Sequence, residues 1–343
     1  MSKKQENAKQ ITIREVAQAA GVSIATVSRI LNGQGGVSPG LVEQVETAVK
    51  ELKYQPNSVA RALKVRESKS IGLLIPDIEN PFFPALVRGV EDAAQIGGYA
   101  LILCNTDGKQ GEEEKYIRFL LSKQIDGIIF TGNFTAEDWK KWLPVLNVPV
   151  VLLDRRVEGT SFSTVMVDNY LGAFMAVEHL IQQGNKKIAL ISGRALSANN
   201  GDRIKGYFAA LKQYGLPQHP ELMAEGQFSF ESGYNAVDQL VNQGVDFDAV
   251  FACNDMMAIG AIERLIELGR RVPEDVAVVG FDNIRMAGWY KPALTTVDQP
   301  VYEMGQIAAQ MLIEHMNGTK REAEQVVIKP ELVLRQSSQK KAE

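Results

Sequence analysis

The stretch that most constrains this chain lies near its beginning: Thr12-Ile-Arg-Glu-Val-Ala-Gln-Ala-Ala-Gly21-Val-Ser23-Ile-Ala-Thr-Val-Ser-Arg29-Ile-Leu-Asn32. Thr12 and Glu15 stand at capping-box spacing. Ile13, Val16, Ala17 and Ala20 recur at helical spacing and give one apolar face. Gly21 permits a sharp turn, and Ser23 is placed to cap a second helix. On that helix Val27, Ile30 and Leu31 can pack inward, which leaves Ile24, Ala25, Ser28 and Arg29 facing out. The pattern predicts a helix-turn-helix whose second helix is the right size for a DNA major groove. The plainer alternative is a small helical hairpin with no ligand. After a glycine-rich loop, Ser38-Pro39 opens a third helix, serine as cap and proline in its first turn, with Leu41, Val42, Val45, Val49 and Leu52 as its apolar face. These helices predict a compact head ending near Tyr54.

Charge supports the DNA reading through its distribution. The 343 residues carry a net charge of −4, but residues 1–70 hold 11 Lys or Arg against 6 Glu and no Asp. A basic head on an acidic body is expected when only the head touches phosphates. The polar start has no apolar core of a signal peptide, and no apolar run reaches the roughly 18 residues of a membrane span, so a cytoplasmic protein with no membrane partner is expected. Cys104 and Cys253 each end an apolar run and read as buried free thiols. His179, His219 and His315 are scattered, and no metal or other cofactor is expected. Dinucleotide, P-loop and serine-hydrolase signatures are missing, so an enzyme is not expected. Trp139, Trp142 and Trp289 read as surface or packing residues.

Pro56 breaks the chain, and Asn57 caps a short segment reaching Leu63 and Lys64, too short to hold as a helix by itself in water. From Ile71 the texture changes. Apolar runs at Ile71–Ile75, Leu101–Cys104, Gly127–Phe130 and Val150–Leu153, then at Ile188–Ile191, Ala249–Ala252 and Val276–Phe281, alternate with helical stretches such as Leu86–Ile96 and Glu112–Ser122. Such alternation predicts doubly wound parallel sheets, and two series suggest two similar halves. Each half opens with strand, loop and a helix bearing Arg88-Gly89 or Lys205-Gly206.

On these residues the chain resembles the lactose-repressor/galactose-repressor (LacI/GalR) family. The matching positions are Ala17, Ala20-Gly21-Val22-Ser23, Thr26-Val27-Ser28-Arg29, Leu31-Asn32, Val37-Ser38, Leu52, Tyr54, Pro56-Asn57, Ala60-Arg61 and Leu63. The resemblance implies an α plus α/β protein: a helix-turn-helix head (1–56), a hinge helix and linker (57–69) and a periplasmic-binding-protein-like core (70–343). Within the core, lobe one would take about 70–166 and 297–326, and lobe two about 167–296 and 327–338. It further implies a homodimer on operator double-stranded DNA, with the hinge segment folding only there. Ile24, Ala25 and Arg29 would read bases, Arg29 being suited to guanine. Ser23, Thr26, Ser28, Asn32 and Ser38 would contact phosphates, although Ser23 and Ser38 serve equally as caps. Asn57, Arg61 and Lys64 flank Leu63, which aligns with the family's minor-groove wedge.

The core is similar to ribose-binding periplasmic proteins, which implies a small sugar effector, ribose or a related pentose. Asn80, Asp154, Asn254, Asp282 and Gln299 would bond ring hydroxyls. Arg155 and Arg203 would donate forked hydrogen bonds, and Phe82, Phe83 and Phe228 would lie against the ring. Phe230 competes with Phe228, and Asp282, Asn254 and Asp255 can each serve as caps; Asp255 reads as structural. The implied function is a sugar-controlled repressor of sugar-use or transport genes, with induction the expected sign. A catabolite-control regulator governed by a phosphocarrier protein is the alternative. Leu63→Ala is expected to weaken operator binding sharply while the head stays folded; a mobility-shift titration beside the head's circular dichroism checks both, and unchanged affinity removes the wedge assignment.

Overall fold

A computed structural model describes residues 11–31, 35–54, 68–157, 159–194, 198–320 and 322–339. The expected hinge helix, with Asn57, Arg61, Leu63 and Lys64, and Asn32 lie outside the described residues. The chain divides into two compact units, Met1–Ser68 and Lys69–Glu343.

In the first unit α1 (Ile13–Ala19), α2 (Ile24–Leu31) and α3 (Pro39–Glu51) close around Val16, Ala17, Val27, Val45 and Ala48. The Glu15 carboxylate accepts from the Thr12 backbone N–H at 2.7 Å, anchoring α1. Gly21 sits at φ +64, the left-handed turn that redirects the chain into α2.

The second unit holds two six-stranded sheets. Lobe one has β1 (Ser70–Ile75), β2 (Ala100–Asn105), β3 (Gly127–Phe130), β4 (Val150–Leu153), β5 (Ser163–Val167) and β11 (Gln325–Ile328). Lobe two has β6 (Ile188–Ser192), β7 (Met223–Glu225), β8 (Ala249–Ala252), β9 (Ala277–Asp282), β10 (Thr295–Asp298) and β12 (Glu331–Val333). Their orders, β11-β5-β4-β3-β1-β2 and β12-β10-β9-β8-β6-β7, are the same arrangement used twice. One joint differs: β11 runs parallel to β5, whereas β12 runs antiparallel to β10. The seven expected strands are present. Of the other five, β7 (Met-Ala-Glu) and β12 (Glu-Leu-Val) have three residues each, and β5, β10 and β11 open on polar residues, so their apolar parts are short.

The connecting helices are α4 (Phe82–Ile96), α5 (Gln110–Ser122), α6 (Ala136–Trp142), α7 (Asn169–Gln182), α8 (Ala198–Gln213), α9 (Phe230–Asn242), α10 (Asp255–Glu267), α11 (Arg285–Trp289) and α12 (Val301–Met316). The chain passes between lobes after β5, after β10 and after β11. These crossings fall at Asp168, Gln299-Pro300 and Lys329-Pro330, directly after the last ladder pairs of β5, β10 and β11. Cys104 and Cys253 are buried and free, and burial raises both thiols, Cys253 to about 12. Trp139 and Trp142 are buried, while Trp289 is exposed. No helix among the described residues is long and apolar enough to cross a membrane.

The Arg88-Gly89 and Lys205-Gly206 echo has a packing cause. A Cβ on Gly89 would lie 2.0 Å from the carbonyl oxygen of Tyr302 on α12, and one on Gly206 would lie 2.3 Å from that of Tyr170 on α7. In each lobe the first helix meets its neighbour backbone to backbone. Gly89→Ala is therefore expected to cost about 1–3 kcal/mol by overpacking. Gly111→Ala on α5, where a Cβ meets nothing within 4 Å, should cost nothing; chemical denaturation compares them.

Candidate functional site

The outward face of α2 is as the pattern predicts. Ile24 is 44% exposed, Ala25 and Arg29 are exposed, Ser28 is half-buried and Val27 is buried. Ser23 caps α2: its Oγ accepts from the Thr26 N–H at 3.1 Å and lies 2.8 Å from the Thr26 hydroxyl. Ser38 occupies the N-cap position of α3 ahead of Pro39 but makes no side-chain capping bond; its carbonyl accepts instead from Leu41 and Val42.

In the core unit most of the expected effector residues stand at carboxyl ends of strands, the rim where open α/β sheets bind ligands. Asn80 follows β1, Asp154 follows β4, Phe228 follows β7, Asn254 follows β8, Asp282 ends β9 and Gln299 follows β10. Arg203 reaches this rim from α8. Its guanidinium is buried, with Nε donating to Asn169 Oδ1 at 2.8 Å, Nη1 donating to the Cys253 carbonyl, and the Phe281 ring lying 3.8 Å beneath it. Asp282 Oδ1 lies 3.8 Å from Nη1 and accepts from Gln299 Nε2 at 2.7 Å. Burial raises the Asp282 carboxyl to about 7; Arg203 opposes the rise and Asp154 adds to it. Asp154 is raised to about 6, again by burial against the pull of Arg203. Two acceptors of this group, Asp154 Oδ1 and Gln299 Oε1, are buried without a hydrogen-bond partner.

The other expected residues are placed differently. Phe82 and Phe83 are buried in the core of lobe one, edge to face at 5.1 Å, and Asn80 Oδ1 accepts from the Phe82 N–H at 3.1 Å. Arg155 is turned into lobe one, where Nη2 donates to the Phe134 carbonyl at 2.8 Å; burial lowers it to about 10 against the pull of Glu113 and Asp154. Asn254 caps α10 through the Met257 N–H at 3.0 Å while its Nδ2 donates to the Phe228 carbonyl at 3.0 Å. Phe228 packs over Gly193, whereas Phe230 opens α9. Asp255 is structural, as read, accepting from Thr296 Oγ1 and the Ile284 N–H.

Asn169, fully buried and bonded to Arg203, is a member of this group that the sequence reading missed. The polar pair Asp168-Asn169 directly after an apolar run was its only signal. Backbone geometry also marks the rim: Asp154 (φ +57), Phe228 (φ +64), Asp282 (φ +117) and Asn283 (φ +54) all hold left-handed conformations. Such strain persists where surrounding structure enforces it and concentrates at functional sites. A pocket of about 240 Å³ lined by Val241, Phe247 and Leu265 opens at the opposite, amino ends of the lobe-two strands, away from this group.

A small helical head with an outward-facing second helix, joined in one chain to a two-lobed core with a buried polar rim, defines a DNA-binding transcriptional regulator. Residues 12–57 match the family described as bacterial regulatory proteins, lacI family, and residues 177–338 match a periplasmic binding protein-like domain. The ribose operon repressor of Halalkalibacterium halodurans is 39% identical over 95% of this chain and 97% of its own length. The HTH-type transcriptional repressor PurR of Photorhabdus laumondii is 38% identical over 95% of this chain and 96% of its own length, and catabolite control protein A of Priestia megaterium 37% over 96% and 99%. The solved lac repressor dimer, bound to operator and an anti-inducer, superposes with a TM-score of 0.88 at 29% identity, covering 96% of this chain and 99% of that one. The chain belongs to the LacI family of DNA-binding transcriptional repressors, which are not enzymes.

Because Asp282 and Asp154 are raised from the ordinary carboxyl value near 4, the folded protein holds more protons than the unfolded chain between about pH 4 and 7. Their contribution to stability therefore falls as pH rises through that window and levels off above it. Asp282→Asn is expected to flatten this dependence, read as the thermal midpoint of the ligand-free protein from pH 5 to 7.5.

Proposed function

We propose that this repressor acts on genes of sugar uptake or use, as a homodimer in the cytoplasm, and that ribose or a close pentose bound between the lobes controls its grip on the operator. The observation that carries the reading is the pair of buried, unpartnered acceptors, Asp154 Oδ1 and Gln299 Oε1, beside the Arg203–Asp282 pair. Buried acceptors left open are costly, and a ligand bearing several hydroxyls supplies the missing donors. Phe228 offers a ring face beside them, and one of the relatives is named for the ribose operon. A purine would also bring N–H donors, but the carboxylates Asp154 and Asp282 with Arg203 suit a polyol better than a flat base.

On the DNA side Ile24, Ala25 and Arg29 read base edges, Arg29 by forked donation to guanine, and Ser23, Thr26, Ser28 and Ser38 fix the head on phosphates. The sugar changes operator affinity only by its different affinity for two core states, and a hundredfold change needs about 2.7 kcal/mol of coupling. Sugar is expected to release DNA.

Calorimetric titration of the whole protein with ribose, xylose, glucose and hypoxanthine tests the reading. Ribose should bind most tightly and lower operator affinity in a parallel shift assay. Hydroxyl donors favour the ionised carboxyls, so binding near pH 6.5 should release protons, seen as a heat that changes with the buffer's ionisation enthalpy. Arg203→Ala should weaken ribose binding at least thirtyfold by leaving Asp282 uncompensated. No heat and no thermal shift with any sugar, together with DNA binding that responds to a phosphocarrier protein, would replace this reading with the catabolite-control one.

A further inference from the structure

Among the described residues, Arg194, Asn199 and Asp202 of lobe two each lie against the facing edge of lobe one. Asn199 Nδ2 donates to the backbone carbonyl of Asp154 at 2.6 Å. Asp202 Oδ2 lies 3.8 Å from Arg156 Nη2. The Arg194 guanidinium lies against Gly108, where a Cβ would come within 2.7 Å of Nη1. Asn199 and Asp202 belong to the first turns of α8, and Asn199 stands four residues before Arg203, hence on the same helix face.

We propose that Asn199 is a positioning residue for the effector site, the principal member of a latch between lobes that also includes Arg156 and Asp202. The proposal rests on the reading that the sugar binds in the cleft. Asn199 acts on Asp154, a residue held at φ +57, both through its backbone carbonyl and through a side-chain hydrogen bond that favours the ionised carboxyl. With that backbone fixed in a left-handed well, holding the carbonyl also sets where the unpartnered Oδ1 points. The latch forms only when the lobes face each other closely, so it favours the state in which Asp154 of lobe one and Arg203, Asp282 and Phe228 of lobe two can share one ligand. A state made more populated before the ligand arrives raises the apparent affinity by the same factor. The half-buried Asn199 bond carries most of this effect. The Arg156–Asp202 pair, with Arg156 about half exposed, carries less.

The test uses the full chain with spin labels at the exposed positions Lys140 of lobe one and Lys212 of lobe two, labelled protein being diluted with unlabelled. The variants are Asn199→Ala, Asn199→Asp and Asp202→Ala. In ligand-free protein, Asn199→Ala should broaden the interlobe distance distribution toward longer values, and Asn199→Asp, which sets an acceptor against a carbonyl, should do so more. Ribose affinity should fall about threefold to tenfold in Asn199→Ala and less in Asp202→Ala, and saturating ribose should restore the wild-type distance. Unchanged distances in the ligand-free Asn199 variants overturn the proposal, as does an affinity loss without a change in distance, which would make Asn199 a ligand contact. If wild-type protein binds no ribose while the variants still lengthen the ligand-free distance, the latch stands and the ribose reading falls.

Discussion

The Arg203 guanidinium is taken out of water at the junction of α7, α8, β8 and β9, and the geometry around it follows from that cost. Burying a charge costs several kcal/mol unless partners replace its hydration. Here the four partners come from three parts of the chain: Asn169 at the start of α7, the carbonyl of Cys253 after β8, and the face of Phe281 with the carboxyl of Asp282 at the end of β9. Each must stay in place for the others to be satisfied, so the rim of lobe two is preorganised. The same compactness works against the carboxyls. Burial pushes Asp282 and Asp154 toward neutrality while Arg203 pulls them back, which leaves both titrating near physiological pH.

Two copies of one sheet plan set this rim against lobe one. Gly89 and Gly206 bring the first helix of each lobe into backbone contact with its neighbour. Asn80 stands just before α4 and Asn199 in the first turn of α8. The duplication breaks at the last strand, parallel in lobe one and antiparallel in lobe two. The chain ends this way because it must return from β11 to β12 across the hinge. With the third crossing the lobes are joined by three segments of chain. Asn199 Nδ2 on the Asp154 carbonyl is one side-chain contact made between the lobes.

The head was legible in the sequence almost residue by residue. The helix starts, the turn at Gly21 and the outward residues Ile24, Ala25 and Arg29 are all set by neighbours within about one helical turn. The seven apolar strands were legible for the same reason. Strands such as β7 and β12 were not, because a three-residue ladder contributes pairing without composing an apolar run. Arg155 and Asn254 show the limit for side chains. Their residue types suit a sugar, yet one is turned toward Phe134 and the other is occupied as the cap of α10. A side chain's type does not say which of several partners reaches it first.

The sequence by itself determined the architecture, the outward face of α2 and the chemical kind of residue that stands at each strand end, since periodicity, capping and composition are local properties. Only the tertiary structure decided which of those residues share one buried group. Arg203 meets Asn169 across 34 positions and Cys253 across 50, and Asn199 meets Asp154 across 45 and between lobes. Such meetings exist because parallel strands bring their carboxyl ends to a common rim, and the left-handed backbone of Asp154 and Asp282 is imposed there by packing that no short stretch of chain encodes.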